Sequence, residues 1–182
     1  MIRLWRLLAL PVFLGLIFLG AYLYFYLGGY KDVVVDVVDQ AEMQTVFTTH
    51  RGAYHQINAA ITKVEEWAKS HGQTCLKTFG EYLDDPRQVD EVRLRSRAGC
   101  LLDEPLKTSA LPEGFEVGSL PAGQYVHAVF TGSPAIGPWK VYPRLNDYVA
   151  QQKLQAGTSS IEIYKINADG KMTTEYLLPL VK

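Results

Sequence analysis

The longest apolar stretch comes first. From Leu7 to Tyr30 the chain runs for 24 residues without a charge. As a helix that length spans about 36 Å, enough for a hydrocarbon core of ~30 Å. Pro11, Gly15 and Gly20 fit a membrane helix, which tolerates both residue types. Trp5 at one end and Tyr22, Tyr24, Tyr26 and Tyr30 at the other match interfacial aromatic belts. The run is longer than a usual signal-peptide core and no A-x-A site follows it. Residues 1–30 therefore read as one uncleaved, single-pass anchor. Arg3 and Arg6 precede the run and only Lys31 follows closely. That bias places the N-terminus inside and residues 31–182 outside, which is the periplasm if the protein is bacterial.

Beyond the anchor the periodicity changes. Residues 31–42 alternate Val with Asp and read as a strand or an extended stalk; Gln44–Thr49 is a clearer strand. Ile57, Ala60, Ile61, Val64, Trp67 and Ala68 recur at helical spacing, with Lys63, Glu65, Glu66 and Lys69 on the other face and Gly72 as the stop. Leu76–Leu83 and Val92–Leu102 are strand-like runs flanking Asp84-Asp85-Pro86. After a linker at 105–114 the order repeats. Gln124–Phe130 is a strand, Trp139–Lys153 contains a helix, and Ile161–Ile166 and Met172–Leu180 are strands around a turn at Asn167–Gly170. Pro143 is expected in the first turn of that helix or at a kink. By residue type, Gly52-Ala53-Tyr54 aligns with Gly123-Gln124-Tyr125, and Gly80-Glu81-Tyr82-Leu83 with Ile161-Glu162-Ile163-Tyr164.

The expectation is an α+β protein. Two β-α-β-β pseudo-repeats form an antiparallel sheet with two helices, preceded by one transmembrane helix. The domains are an anchor at 1–30, a stalk at 31–42 and a folded domain at 43–182, with repeat one at 43–104 and repeat two at 115–182. One repeat cannot bury both a sheet face and a helix face, but two side by side can, leaving a groove between them.

Composition narrows the function. The 182 residues include 18 Lys+Arg and 19 Asp+Glu, a net charge of −1, with 48% hydrophobic residues. A disordered chain needs the opposite balance. Residues 31–182 carry a net −3 once Arg3 and Arg6 are set aside, so no nucleic-acid partner is expected. Two cysteines exclude a disulfide-rich scaffold. If the hairpin turns near residues 87–88, Cys75 and Cys100 stand opposite each other at a distance that suits a disulfide. They are either that bridge, which would fit an oxidising compartment, or two buried thiols. His50, His55, His71 and His127 have no metal-binding spacing, so no metal site is expected. Ser133, Ser159 and Ser160 lack a nucleophile-elbow setting.

The soluble part resembles the GyrI-like small-molecule-binding domain, the effector-binding module of some multidrug-responsive activators. The likeness rests on Gly52-x-Tyr54, Gly80-Glu81-Tyr82-Leu83-Asp84-Asp85-Pro86, Arg95–Cys100, Pro121-Ala122-Gly123, Ile161-Glu162-Ile163-Tyr164 and Glu175–Leu180. Asp84-Asp85-Pro86, Tyr142-Pro143-x-Leu145-x-x-Tyr148 and the Glu162 strand are also similar to membrane-anchored ER-phagy receptors that carry such a domain. Their long acidic tail has no counterpart before Lys182, and no helix-turn-helix precedes the domain. Neither the autophagy role nor transcription control is therefore expected.

The resemblance implies a small hydrophobic or cationic aromatic ligand in the inter-repeat groove, with Glu162 as charge partner. By residue pattern alone Glu162 faces either a pocket or solvent. Glu81 is read as its symmetric counterpart. Tyr54, Tyr82, Tyr125, Trp139, Tyr148, Tyr164 and Tyr176 are candidate walls, or ordinary core aromatics. No cofactor is expected; haem held by His127 or His55 is a remote alternative, since related two-repeat folds bind it. Two other functions stay open: a protein-interaction adaptor without a ligand, and a hydrolase of reactive toxic compounds using Glu162 as general base. Binding is placed ahead of catalysis.

Overall fold

The computed structural model describes residues 2–104, 106 and 110–181. Parts of the 105–114 linker, and the side chains of Arg3, Trp5 and Arg6, lie outside the described residues. Helix α1 (Ile2–Tyr26) is one unbroken helix containing Pro11. Its Ala9–Tyr26 stretch is long and apolar enough to cross a membrane, and none of it is buried within the molecule. The helix closes with a Schellman turn: Gly28 takes φ +83°, its N–H reaches Phe25 O, and the Gly29 N–H reaches Tyr24 O at 2.7 Å. Only glycine adopts that φ without strain.

Among the described residues, eight strands form one antiparallel sheet with two helices on one face. In chain order these are β1 (Val35–Gln40), β2 (Met43–Arg51), α2 (Asn58–Ser70), β3 (Thr78–Tyr82), β4 (Arg95–Leu101), β5 (Phe115–Leu120), β6 (Gly123–Thr131), α3 (Gly137–Gln151), β7 (Ser160–Ile166) and β8 (Met172–Pro179). The sheet order is β1-β6-β8-β7-β3-β4-β2-β5. Repeat one is β2-α2-β3-β4 and repeat two is β6-α3-β7-β8. They meet along the β3–β7 ladder. The segment read as strand or stalk forms β1 and pairs with β6.

The two repeats exchange their leading strands. β1 pairs with β6 of repeat two, while β5 pairs with β2 of repeat one. Gln40 faces Gly123 and Met43 faces Leu120, so the register runs on unbroken across the bend at 41–42 and 121–122. β1–β2 and β5–β6 are thus two long bent strands forming one ribbon. The ribbon curls the sheet, and side chains from β2 to β8 meet on its helix-free face. Phe47, Phe79, Leu101, Leu120, Tyr125, Ile161, Ile163 and Leu177 make that core. On the other face, Val64, Trp67 and Ala68 of α2 cover Val46 and Cys100. Val141 and Leu145 of α3 cover Val126, Ala128, Phe130, Tyr176 and Leu178. The split follows from the two-residue period of strands, which sends neighbouring side chains to opposite faces.

The helices follow the sequence periodicity. α2 buries Ile61, Val64, Trp67 and Ala68 and ends at Gly72, where φ is +66°. In α3, Pro138 takes the first turn and Pro143 lies inside the helix.

Cys75 and Cys100 form a disulfide with Cα atoms 5.5 Å apart. The hairpin arithmetic behind that expectation does not hold. β3 pairs Thr78, not Cys75, with Cys100. Cys75 reaches Cys100 from the loop before β3, so the bridge pins the α2–β3 connection to the sheet.

The alignment of the repeats also needs correction. Gly52 ends β2 as Gly132 ends β6, so the counterpart of Gly52 is Gly132 and not Gly123. On the central ladder Glu162 faces Gly80. Gly80 and Tyr82 are therefore the counterparts of Glu162 and Tyr164. Glu81 sits one residue out of phase and points to the opposite face.

Candidate functional site

β3 and β7 run side by side at the centre of the sheet, and α2 and α3 lie to either side. A groove of about 1830 Å³ opens between the helices. Its floor is Glu162 and Tyr164 from β7 with Thr78 and Tyr82 from β3. Gly80, opposite Glu162, adds no side chain to that floor. A Cβ there would stand only 3.0–3.3 Å from Ile57 Cδ1 and the Tyr82 hydroxyl end, so the glycine lets those two side chains close over the strand.

Glu162 is 5% exposed. Tyr142 Oη lies 2.8 Å from Glu162 Oε1, and Tyr164 Oη lies 2.9 Å from Oε2. Tyr142 Oη is also 3.0 Å from Ser160 Oγ, and Tyr82 Oη is 2.9 Å from Tyr164 Oη. A phenol has one proton. With Tyr142 and Tyr164 each donating to the carboxylate, Ser160 donates to Tyr142 and Tyr82 donates to Tyr164. Three phenols and one serine thus converge on a single carboxylate.

Burial pushes the Glu162 carboxyl above its ordinary range; the hydrogen bonds from Tyr142 and Tyr164 pull the other way. Burial, followed by the nearby Glu162, raises Tyr82, Tyr142 and Tyr164. These phenols stay protonated and act as donors. Among the described residues, no lysine, arginine or histidine forms an ion pair with Glu162.

Of the residues singled out from the sequence, Glu162, Tyr54, Tyr82, Trp139 and Tyr164 line the groove. Tyr54 packs edge-on to Tyr82 with centroids 4.7 Å apart. Its hydroxyl donates to Asp84 O at 2.8 Å and accepts from the Asp84 N–H at 3.0 Å. Trp139 stands at the rim, 84% exposed. Three expected wall residues lie elsewhere. Tyr125 is buried in the helix-free core, its hydroxyl on Pro121 O. Tyr148 and Tyr176 pack into the core beneath α3. Glu81 is on the other face, paired with Arg97 at 3.3 Å.

Tyr142 and Ser160 were missed. Tyr142 was visible as part of the Tyr142-Pro143-x-Leu145 motif, and Ser160 stands two residues before Glu162 and so on its face. At the far end, Asp84 accepts from Arg95 N at 2.8 Å, Nε at 3.1 Å and Nη2 at 2.7 Å. Arg95 holds the Asp84 carboxyl below its usual value. This closes the 83–94 loop beside Tyr54. Among the described residues, no cluster of three or more His, Cys, Asp or Glu has metal-binding geometry.

A duplicated β-α-β-β unit with a groove across its seam defines a two-repeat α+β binding fold. The family model of the GyrI-like small molecule binding domain matches residues 34–181, and the chain belongs to that family. Comparison with curated proteins gives no match. Among solved structures, the EcmrR C-terminal domain is similar at TM-score 0.64 and 14% identity, covering 84% of this chain and 99% of that one. SAV2435 bound to tetraphenylphosphonium gives TM-score 0.52 at 12% identity, covering 81% and 94%. A hydrolase encoded by lin2189 from Listeria innocua gives TM-score 0.51 at 14% identity, covering 81% and 91%. At these identities the likeness is one of fold.

Proposed function

We propose that this protein is a membrane-anchored receptor for a small hydrophobic cation, bound in the inter-repeat groove with Glu162 as its charge partner. Buried Glu162 carries the reading. A carboxylate out of water costs several kcal/mol in free energy unless it is paired. Two phenol hydrogen bonds stabilise it without neutralising it. A cation in the groove would supply the missing charge, and Tyr54, Tyr82, Tyr142, Tyr164 and Trp139 offer aromatic faces to a flat or greasy one. Tetraphenylphosphonium, bound by the structurally similar SAV2435, is a ligand of this kind. The open groove also favours a ligand over a filled adaptor surface.

Helix α1 would hold the domain at a bilayer, with the N-terminus inside. The Cys75–Cys100 bridge supports an oxidising compartment for residues 31–182. The test is equilibrium binding of tetraphenylphosphonium to the full chain in nanodiscs, wild type beside Glu162→Gln. Partition into lipid is common to both, so their difference reads the site. Saturable binding weakened at least tenfold in the variant supports the assignment. Equal binding by both overturns it. Consumption of a bound electrophile, abolished by Glu162→Gln, would move the assignment to a hydrolase.

A further inference from the structure

One end of the sheet carries apolar side chains that no core uses. The ladders set Thr131 opposite Thr173, Ile166 opposite Met172 and Thr78 opposite Tyr164. The ends of β6 and β7 and the starts of β8 and β3 therefore share one edge. That edge also receives α1. The Ser133 N–H donates to Leu27 O at 3.0 Å, and the Lys140 ammonium donates to the carbonyls of Gly29 and Lys31. The Cβ position of Gly28 lies 3.3 Å from Gly132 Cα. The helix stops at Tyr26 and touches the domain at Leu27, so the tether has no slack.

Around this edge stand Val34, Leu76, Trp139 and Ile166, exposed by 76%, 67%, 84% and 68%. A nearly bare indole beside a long apolar helix is placed as interfacial tryptophans are. The charges here are mixed. Lys171 pairs with Asp169 at 2.8 Å, Lys77 lies 3.9 Å from Glu175, and Asp32 sits next to Lys31. Net charge therefore does not set the orientation; the apolar side chains do. At the opposite end of the sheet the exposed Val92 sits among the ion pairs Asp84–Arg95, Asp85–Arg87 and Asp90–Arg93, which suit water.

We propose that this edge rests on the bilayer that α1 spans, with Trp139, Leu76, Ile166 and Val34 in the interfacial layer, so that the groove draws its ligand from the lipid phase. Leu76, Trp139, Ile166 and Met172 also line the groove, so its mouth at this end opens among the headgroups. The inference rests on the reading of α1 as a membrane anchor.

The experiment uses the full chain in phosphatidylcholine vesicles. Trp5→Phe is compared with Trp5→Phe/Trp139→Phe, and the difference in emission is that of Trp139. Trp67 stays in place in both, and the Trp139 change lies outside the buried core. Lipid brominated near the carbonyl end of its acyl chains is expected to lower the Trp139 signal at least twofold, while aqueous acrylamide quenches it several-fold less than free tryptophan. Flotation after a carbonate wash reads the anchor separately. A chain that floats while Trp139 ignores the brominated lipid and meets acrylamide freely overturns the docked edge alone. A chain that does not float overturns the anchor reading, and this inference with it.

Discussion

Tyr82 and Tyr164 bring their hydroxyl oxygens to 2.9 Å, one from each repeat, where the two halves of the domain meet. They are counterparts, each two residues beyond a position on the central ladder. In repeat two that position is Glu162; in repeat one it is Gly80. The asymmetry of the site follows from this one difference. One half supplies the charge, and the other, with no side chain at that position, lets Ile57 and Tyr82 pack close beside it.

Glu162→Gln is expected to change how stability depends on pH. The folded-state carboxyl titrates above its unfolded value because it is buried. The protonated form is therefore favoured by folding. That contribution is fully present below the ordinary carboxylate range near pH ~4.3 and is lost as pH rises through the raised value. Wild type should lose stability relative to the Gln variant as pH rises from the ordinary carboxylate value of ~4.3 through the raised one. Urea unfolding of both chains across that range checks it, and parallel profiles would refute it.

Gly80→Val should close the floor of the groove. A Cβ there stands 3.0 Å from Ile57 Cδ1 and 3.2 Å from Tyr82 Oη, both side-chain atoms able to shift. Valine suits a strand, so the fold should survive with a modestly lower midpoint. Affinity for tetraphenylphosphonium should fall tenfold or more, about 1.4 kcal/mol. Calorimetric titration beside a thermal melt separates the two effects.

Removing the disulfide with Cys75→Ser/Cys100→Ala should cost about 3 kcal/mol on chain-entropy grounds for a bridge closing 25 residues. In a domain of this size that lowers the midpoint by roughly 6–12 °C. Reductant should shift the wild type by a similar amount and leave the variant unmoved. A wild type indifferent to reductant would contradict the bridge.

Arg95→Ala should loosen the 83–94 loop that borders Tyr54. The guanidinium holds the Asp84 carboxyl below its ordinary value. The stabilisation from this pair is present above the usual aspartate pKa of ~3.9 and is lost as pH falls through the depressed value. Amide exchange between Asp84 and Val92 should quicken in the variant at neutral pH. In acid, where Asp84 is protonated in both chains, the difference should shrink.

Much of this architecture was legible in the chain. Ile57, Ile61, Val64 and Trp67 announce α2 because helical burial repeats every three or four residues. The strands of both repeats show as β-prone runs between turns. Phase and partner were harder. Glu81 and Glu162 look equivalent by letter, but a shift of one residue sends a strand side chain to the other face, and only the ladder fixes the shift. The same blindness placed Tyr125 in the groove; it belongs to the face that curls on itself. Tyr148 and Tyr176 read as pocket walls by residue type, because an aromatic in a strand or helix carries no mark of depth. The crossing of β1 and β5 links residues some 80 positions apart, and no local pattern encodes that pairing.

The exchanged ribbon has a mechanical consequence. Because each repeat borrows its edge strand from the other, the halves cannot swing apart like the jaws of a clamp without stripping two ladders at once. A ligand too bulky for the groove must be admitted by its borders, through rotation of Trp139 at one end and yielding of the 83–94 loop at the other. For a ligand bound as proposed, the accepted size range would therefore be set by side chains at the entrances, over a foundation that does not bend.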